Sequence, residues 1–159
     1  MTMTDIEAWF DVQRLYADYS AAVDNADWET WTSMFTEKCE YKVQPRENYD
    51  RGFPLATMWF ISRGMLIDRA YGIKETLFHD PYYQRHVVSA PRITAREGDV
   101  LVAEANYAVF RTKLDGESTV FNVGRYLDRI RRTPEGLKFE QRFCIYDSEM
   151  IPNSLIYPI

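Results

Sequence analysis

The two histidines of this sequence, His79 and His86, are the side chains best suited to acid–base or metal chemistry. Both lie in residues 57–88, a stretch that begins with a helical pattern of apolar residues and continues into an aromatic, charged connector and a strand. A mononuclear iron site of the two-histidine, one-carboxylate type would require both of them. They are seven positions apart across an irregular segment, which is no recognised ligand spacing, so we expect no metal on this chain.

A histidine paired with a carboxylate inside a cavity could catalyse a dehydration or an isomerisation as a general acid–base pair. His86 with Asp24, assisted by the hydroxyl of Tyr19 or Tyr49, is the constellation that offers these groups. No spacing in the sequence fixes how closely they approach one another. We therefore favour a structural interpretation, in which His86 is a hydrogen-bonded strand residue and Asp24 ends a helix.

The cysteines and serines give little support for redox or nucleophilic chemistry. Cys39 and Cys144 are far apart and have no histidine near them in sequence, so they do not form the close pairs that a Rieske cluster needs. No serine lies in a nucleophile-elbow motif, and the sequence has no glycine-rich phosphate loop. We expect two buried, reduced thiols, as in a cytoplasmic protein.

Length and charge bound the class of protein. A sequence of 159 residues predicts one domain over residues 1–159. The net charge is −5 and the basic residues are not gathered into one face, which argues against a nucleic-acid partner. No apolar run approaches the ~20 residues of a membrane helix, and the first residues lack the features of a signal peptide. We expect a cytoplasmic protein without a membrane partner.

Three helices are predicted in the first half of the sequence. The first ends near Asp24 and has apolar residues at helical spacing, namely Ile6, Trp9, Phe10, Tyr16, Tyr19 and Val23. A short second helix follows Asp27, a suitable N-cap residue, and a strand then stops at Pro45. The third helix begins near Thr57, and its predicted buried face consists of Met58, Ile61, Met65, Leu66 and Ile73.

Strands dominate the second half. Residues 84–97 predict one strand that lies at a sheet edge or is bulged at Pro91. The next strand places five apolar residues on one face, namely Leu101, Ala103, Ala105, Tyr107 and Val109. Two further strands alternate through Phe121, Val123 and Leu127, and through Leu137, Phe139, Phe143 and Ile145. The apolar residues 152–159 are expected to pack on this chain or on a partner. Helices that precede an antiparallel meander predict an α+β fold, with three N-terminal helices packed on a curved, mostly antiparallel sheet.

The connector before the strand, residues 78–86, combines aromatic residues with arginine and both histidines. This composition is typical of hot spots in protein interfaces. A loop that packs over its own domain has the same composition, so both interpretations stay open at this point.

The order and spacing of several motifs carry a family resemblance. MWFISRGMLIDR and HDPYYQRHVV resemble the small (β) subunits of Rieske-type aromatic-ring-hydroxylating dioxygenases. So do the opening DVQRLYADYSAAVDNADWETWTSMFTEKCEYKV and the strand ends GRYLDRI and FCIYDS, so the resemblance covers nearly the whole chain. It is nearest to the subgroup that acts on salicylate, anthranilate or terephthalate, and it implies the cone of the NTF2-like superfamily.

The resemblance also implies a division of labour between subunits. The large (α) subunit of such enzymes carries the Rieske [2Fe-2S] cluster and the mononuclear Fe(II), whereas the small subunit usually carries neither and assembles with it as an α3β3 hexamer. We therefore expect a non-catalytic structural subunit for aromatic acid degradation, with no catalytic residue, cofactor or metal of its own. Its partners would be the large subunit and other copies of itself. Eight residues that match the family motifs are predicted to contact a partner: Arg63, Met65, Asp68, Arg69, Tyr82, Tyr83, Arg85 and His86.

Two alternatives share the same fold. One is a stand-alone lyase or isomerase of the ketosteroid-isomerase or scytalone-dehydratase kind, which would use the His86–Asp24 pair. The other is a non-catalytic ligand-binding protein with an open cone. The enzyme requires that the pair face a void of about 300 Å³ or more. A cone filled with aromatic side chains would leave no room for a substrate, and the candidates to fill it are Trp9, Tyr16, Trp28 and Trp31.

Overall fold

The computed structural model describes residues 5–151 and 154–159. Its helices are α1 (Asp5–Asp24), α2 (Trp28–Ser33), α3 (Arg46–Asp50) and α4 (Arg63–Tyr71), the last of which continues as a π-helix (Gly72–Thr76). Its strands are β1 (Phe35–Pro45), β2 (Met58–Phe60), β3 (Tyr82–Val88), β4 (Arg92–Glu97), β5 (Val100–Lys113), β6 (Ser118–Thr133) and β7 (Gly136–Tyr146).

The strands form one curved sheet in the order β2-β1-β7-β6-β5-β3, with β4 also paired to β5. All of these pairings are antiparallel except that of β1 with β7. Within the described ranges the sheet does not close, since β2 and β3 end the path. The helices α1 and α2 lie against this sheet. The predicted α+β class and the NTF2-like cone are confirmed.

The first two helices are close to the prediction, although the buried stripe of α1 is rotated. Tyr16, Tyr19 and Val23 are buried as predicted, and α1 ends at Asp24. Ile6 and Phe10 are instead exposed, because the stripe begins with the small Ala8 and runs along the helix through Val12, Leu15 and Ala22. The carboxylate of Asp27 caps α2 by accepting a hydrogen bond from the backbone nitrogen of Thr30 at 3.1 Å.

The prediction that the third helix begins near Thr57 is wrong. Residues 58–60 form β2, in which Trp59 pairs with Lys42 of β1, and α4 begins only at residue 63. Ser62 caps α4 by accepting a hydrogen bond from the backbone nitrogen of Met65 at 3.2 Å. A short run of apolar residues is compatible with the period of a helix and with that of a strand. Aromatic residues followed by a helix N-cap residue favour a strand that ends before the helix begins.

The buried face predicted for that helix is only partly right. Leu66 and Ile73 are buried on the helical segment, and Met58 is buried from β2. Ile61 and Met65 are exposed. The error follows from the misplaced helix start. When the helical period is counted from a residue that lies in a strand, the residues predicted to be buried fall on the wrong face of the helix.

The predicted strand over residues 84–97 is divided at Ser89–Pro91 into β3 and β4, and both halves pair with β5. Pro91 has no backbone N–H to contribute to a ladder, which explains a break at this place. Its carbonyl oxygen instead accepts a hydrogen bond from the indole nitrogen of Trp9 at 2.9 Å.

The strands β5, β6 and β7 form the central part of the sheet. The face predicted for β5, from Leu101 to Val109, is buried as expected. In β6 the predicted face is wrong at Val123 and Leu127, because the core face carries Asn122, Gly124, Tyr126, Asp128 and Ile130. Because some residues on this inner face are polar, the alternation of apolar and polar residues does not show which face of β6 is buried. The register between β6 and β7 shifts between Arg129 and Ile130 of β6. As a result, the residues of β7 that face the core change from the parity of Phe139 to that of Arg142, Cys144 and Tyr146.

Candidate functional site

The His86–Asp24 pair that the sequence singled out is brought together by the fold. Asp24 ends α1, and its Oδ1 lies 2.6 Å from Nδ1 of His86 in β3. The backbone nitrogen of His86 also donates to the Asp24 carboxylate, at 2.9 Å to Oδ2 and 3.2 Å to Oδ1. The His86 side chain is fully buried and that of Asp24 is 6% exposed. The carboxylate therefore fastens the end of α1 to β3.

The surroundings of this pair favour a structural role. Nε2 of His86 is buried and has no hydrogen-bond partner among the described residues. The cavities of about 510, 420 and 330 Å³ open elsewhere on the surface, and their linings include neither His86 nor Asp24. The hydroxyl of Tyr19 donates to the main-chain oxygen of Ile159 instead of assisting the pair. A substrate therefore has no described route to the imidazole.

The inside of the cone is filled by a charged pair within an aromatic cage. Arg142 and Asp128 are fully buried and make two hydrogen bonds, of 2.7 Å and 3.1 Å. The Arg142 guanidinium lies over four rings at 4.0–4.7 Å from their centroids, namely those of Tyr16, Tyr19, Tyr126 and Phe139. Burial raises the pKa of the Asp128 carboxyl above its usual range, against the lowering effect of Arg142.

The aromatic residues predicted to fill the cone mostly do so. Tyr16, Trp28 and Trp31 are buried, whereas Trp9 is half-buried at the side, where it bonds to Pro91. Residues 154–159 complete the filling, since Leu155, Pro158 and Ile159 are buried against the body of the chain. The expectation that residues 152–159 pack on this chain or on a partner is confirmed for residues 154–159, which pack on this chain, whereas residues 152 and 153 lie outside the described residues.

The donors that could hold a metal do not converge. Within residues 5–151 and 154–159 there is no group of three or more His, Cys, Asp or Glu side chains that could bind an ion. Nε2 of His79 lies 2.9 Å from the hydroxyl of Tyr157, and His86 is bound to Asp24. Burial raises the pKa of Cys39 to about 11 and that of Cys144 to about 12, so both thiols stay protonated and are poor nucleophiles and metal ligands.

The eight residues predicted to contact a partner fall into two groups. Met65, Asp68, Tyr83 and Arg85 are exposed, and Arg63 is half-buried. Of the other three, His86 is buried, and the remaining two are half-buried and bound to residues 154–159. Arg69 donates to the main-chain oxygens of residues 155 and 156, and the Tyr82 hydroxyl accepts from the backbone nitrogen of residue 157. The interface assignment itself stays a prediction.

Sequence reasoning missed an apolar patch on the outer face of the sheet. It is formed by neighbouring residues of β3, β5 and β6, where Val87 pairs with Ala108, Ala108 with Val123, and Phe110 with Val120. Val87, Val120 and Val123 are all exposed. Monomeric proteins seldom leave a contiguous apolar face uncovered. The signal in the sequence is that these strands carry apolar residues at both parities, which is typical of a sheet covered on both faces.

No helix within the described part of the chain is both long and apolar enough to cross a membrane.

The comparisons with known proteins agree with this architecture. A family model described as the SnoaL-like domain matches residues 4–142. The small subunit of anthranilate 1,2-dioxygenase from Burkholderia cepacia is 34% identical over 155 residues, which is 98% of this chain and 96% of that protein. The β2 subunit of the terminal oxygenase component of terephthalate 1,2-dioxygenase from Comamonas sp. is 28% identical over 143 residues, covering 90% and 93%.

A solved structure is similar over the same extent. The crystal structure assigned as the β subunit of an aromatic-ring-hydroxylating dioxygenase from Novosphingobium aromaticivorans superimposes with a TM-score of 0.88. It is 36% identical and covers 96% of this chain and 97% of that one. The cone and its matching family model define the class as SnoaL-like. Within that class, this chain belongs to the family of small subunits of aromatic-ring-hydroxylating dioxygenases.

Proposed function

We propose that this chain is the non-catalytic structural small subunit of a multicomponent aromatic-ring-hydroxylating oxygenase, and that it acts in the degradation of aromatic acids. The relationship to the anthranilate dioxygenase small subunit over almost the full length of both chains carries this proposal. The filled cone supports it, because the Arg142–Asp128 pair and its aromatic cage occupy the space that a substrate would need. The stand-alone lyase or isomerase is not favoured, since the His86–Asp24 pair is buried away from the described cavities.

The redox groups of such an oxygenase belong to the large subunit in this proposal. A Rieske [2Fe-2S] cluster and a mononuclear Fe(II) would supply electron transfer and oxygen activation there. This chain's own histidines do not fit either group, because His79 bonds to Tyr157 and His86 to Asp24. Its two cysteines are buried with raised pKa values and have no histidine beside them among their described contacts.

The assembly that we propose is an α3β3 hexamer, in which this chain contacts the large subunit and other copies of itself. The exposed members of the predicted contact set, among them Met65, Tyr83 and Arg85, are available for these contacts. Tyr83 and Arg85 lie on the outer face of β3, next to the apolar patch around Val87. Interfaces of this kind combine aromatic and arginine side chains with an apolar centre.

We also propose that the chain functions in the cytoplasm as one domain and binds neither nucleic acid nor membrane. Its net charge of −5 opposes a phosphate-binding face. Its cysteines are both free and buried, which suits a reducing compartment.

Co-expression with the large subunit of an aromatic-ring-hydroxylating dioxygenase, followed by native mass spectrometry and turnover assays, tests the proposal. We expect a complex of three large and three small subunits that contains iron. When the large subunit is omitted from the co-expression, the purified protein should contain no iron. This chain alone should turn over no substrate. A purified chain that stayed monomeric, failed to bind the large subunit and dehydrated or isomerised a substrate by itself would overturn the proposal.

A further inference from the structure

The cone devotes several side chains to recognising the main chain of residues 154–159. Arg69 of α4 donates to the carbonyl oxygens of Leu155 and Ile156, at 3.1 Å and 2.7 Å. Gln84 of β3 lies with its amide nitrogen 3.4 Å from the carbonyl oxygen of Pro158. These contacts are made from separate elements, α4 and β3, toward one segment. Main-chain recognition by side chains is what a peptide-binding groove provides.

The innermost contact has the form of a receptor for one main-chain oxygen. The main-chain oxygen of Ile159 accepts hydrogen bonds from Tyr19 at 2.6 Å, from Tyr41 at 3.0 Å and from the Cys144 thiol at 3.4 Å. The backbone nitrogen of Ile159 donates in turn to the Tyr41 hydroxyl at 2.8 Å. All three donors are buried. Desolvation raises the pKa of both tyrosines, so they stay neutral and able to donate over the whole physiological range.

The side chains of residues 154–159 are also held by specific contacts. The ring of Tyr157 lies 4.6 Å from that of Tyr82, 5.2 Å from that of His79 and 5.3 Å from that of Trp28, measured between centroids. Its hydroxyl lies 2.9 Å from Nε2 of His79. The side chain of Ile159 is fully buried in the core cluster. Residues 157 and 159 therefore act as the two side-chain anchors of this segment.

The way in which this segment is attached sets it apart from the rest of the core. Its described hydrogen bonds come from side chains and not from a strand ladder. The residues that lead to it from β7, 147–150, are exposed. The segment can therefore leave without the rupture of any sheet pairing, and side-chain donors would remain to receive another peptide.

We propose that the cone is a peptide receptor whose resident ligand is the chain's own segment 154–159, and that a free peptide of the same sequence binds this site when the tethered copy is weakened. A short tether gives an effective concentration in the millimolar range, so the intact segment hides the site from free peptide. This inference does not depend on the assembly with a large subunit.

The test uses the full chain with both anchors of the tethered copy removed, Tyr157→Ala together with Ile159→Gly. These changes alter the ligand and leave every receptor side chain in place. The probe is a fluorescein-labelled peptide SLIYPI, and the control probe is SLIAPG. By fluorescence anisotropy we expect the double variant to bind SLIYPI at least tenfold more tightly than the unaltered chain does, and at least tenfold more tightly than it binds SLIAPG.

A receptor variant and a folding readout complete the experiment. Tyr41→Phe in the double-variant background removes the hydroxyl that contacts both the oxygen and the nitrogen of Ile159, and should weaken SLIYPI binding about five- to tenfold. If the double variant loses its cooperative thermal transition, SLIYPI and not SLIAPG should restore it. The proposal is overturned if the variant binds both peptides equally or neither, or if SLIYPI fails to restore a lost transition.

Discussion

At the scale of single residues, the pair that most resembles a catalytic dyad is explained by architecture. Asp24 accepts hydrogen bonds from both the backbone and the imidazole of His86, and so joins the end of a helix to the middle of a strand with one carboxylate. A general base would need access to a substrate proton. The buried imidazole has none among the described cavities. Residue types alone could propose the pair, but only its surroundings assign its role.

This role predicts the effect of Asp24→Asn. The amide keeps one acceptor but loses the charge, so the free energy of unfolding should fall by about 1–3 kcal/mol, measured by urea denaturation. Asp18→Asn, an exposed change on the same helix, should leave it within about 0.5 kcal/mol. The turnover rate of the assembled oxygenase should be the same for both variants at a temperature where both are folded. Loss of turnover without loss of stability would instead reveal a catalytic pair.

At the scale of elements, the sequence predicted kinds of structure better than their faces and boundaries. The order of helices before a meander was readable because β5 alternates cleanly and α1 has a helical stripe. The inner face of β6 was not readable, because Asn122 and Asp128 point into the core, where Asp128 is paired with Arg142 on the neighbouring strand β7. A buried ion pair joins two strands and leaves no periodic signal on either strand alone.

Gly124 is an inner position of β6 where the element itself sets the residue. A Cβ atom at this position would lie 2.0 Å from the carbonyl oxygen of Ile145 and 2.7 Å from Cα of Tyr146, both in β7. Gly124→Ala should therefore force the β6–β7 ladder apart and lower the free energy of unfolding by about 3 kcal/mol or more. Gly116→Ala is the matched control, because its Cβ would meet only the Lys113 side chain at 3.8 Å. Equal melting temperatures for the two variants would contradict this account.

At the scale of the whole molecule, the inside and the outside of the cone have different tasks. The inside is occupied by the Arg142–Asp128 pair, its aromatic cage and residues 154–159, so it contributes rigidity. The outside of the sheet presents an apolar patch around Val87 and Val123, beside the aromatic and basic side chains of Tyr83 and Arg85. A subunit whose cone is filled, as far as its described residues show, and whose outer sheet face is apolar and uncovered is suited to hold a partner in place.

The patch can be tested separately from the stability of the chain. Val87 is 57% exposed, so Val87→Lys should change the free energy of unfolding by no more than about 0.5 kcal/mol. A lysine placed in the apolar centre of an interface would be desolvated without a partner, so association with the large subunit should weaken at least tenfold.

Ile6→Lys is the matched control, since Ile6 is 70% exposed on α1, away from the patch. Sedimentation velocity and native mass spectrometry of the co-expressed subunits measure both variants. If the Val87→Lys chain assembled as well as the Ile6→Lys chain, the patch would not be the docking surface. The exposed face of α4 around Met65 would then be tested next.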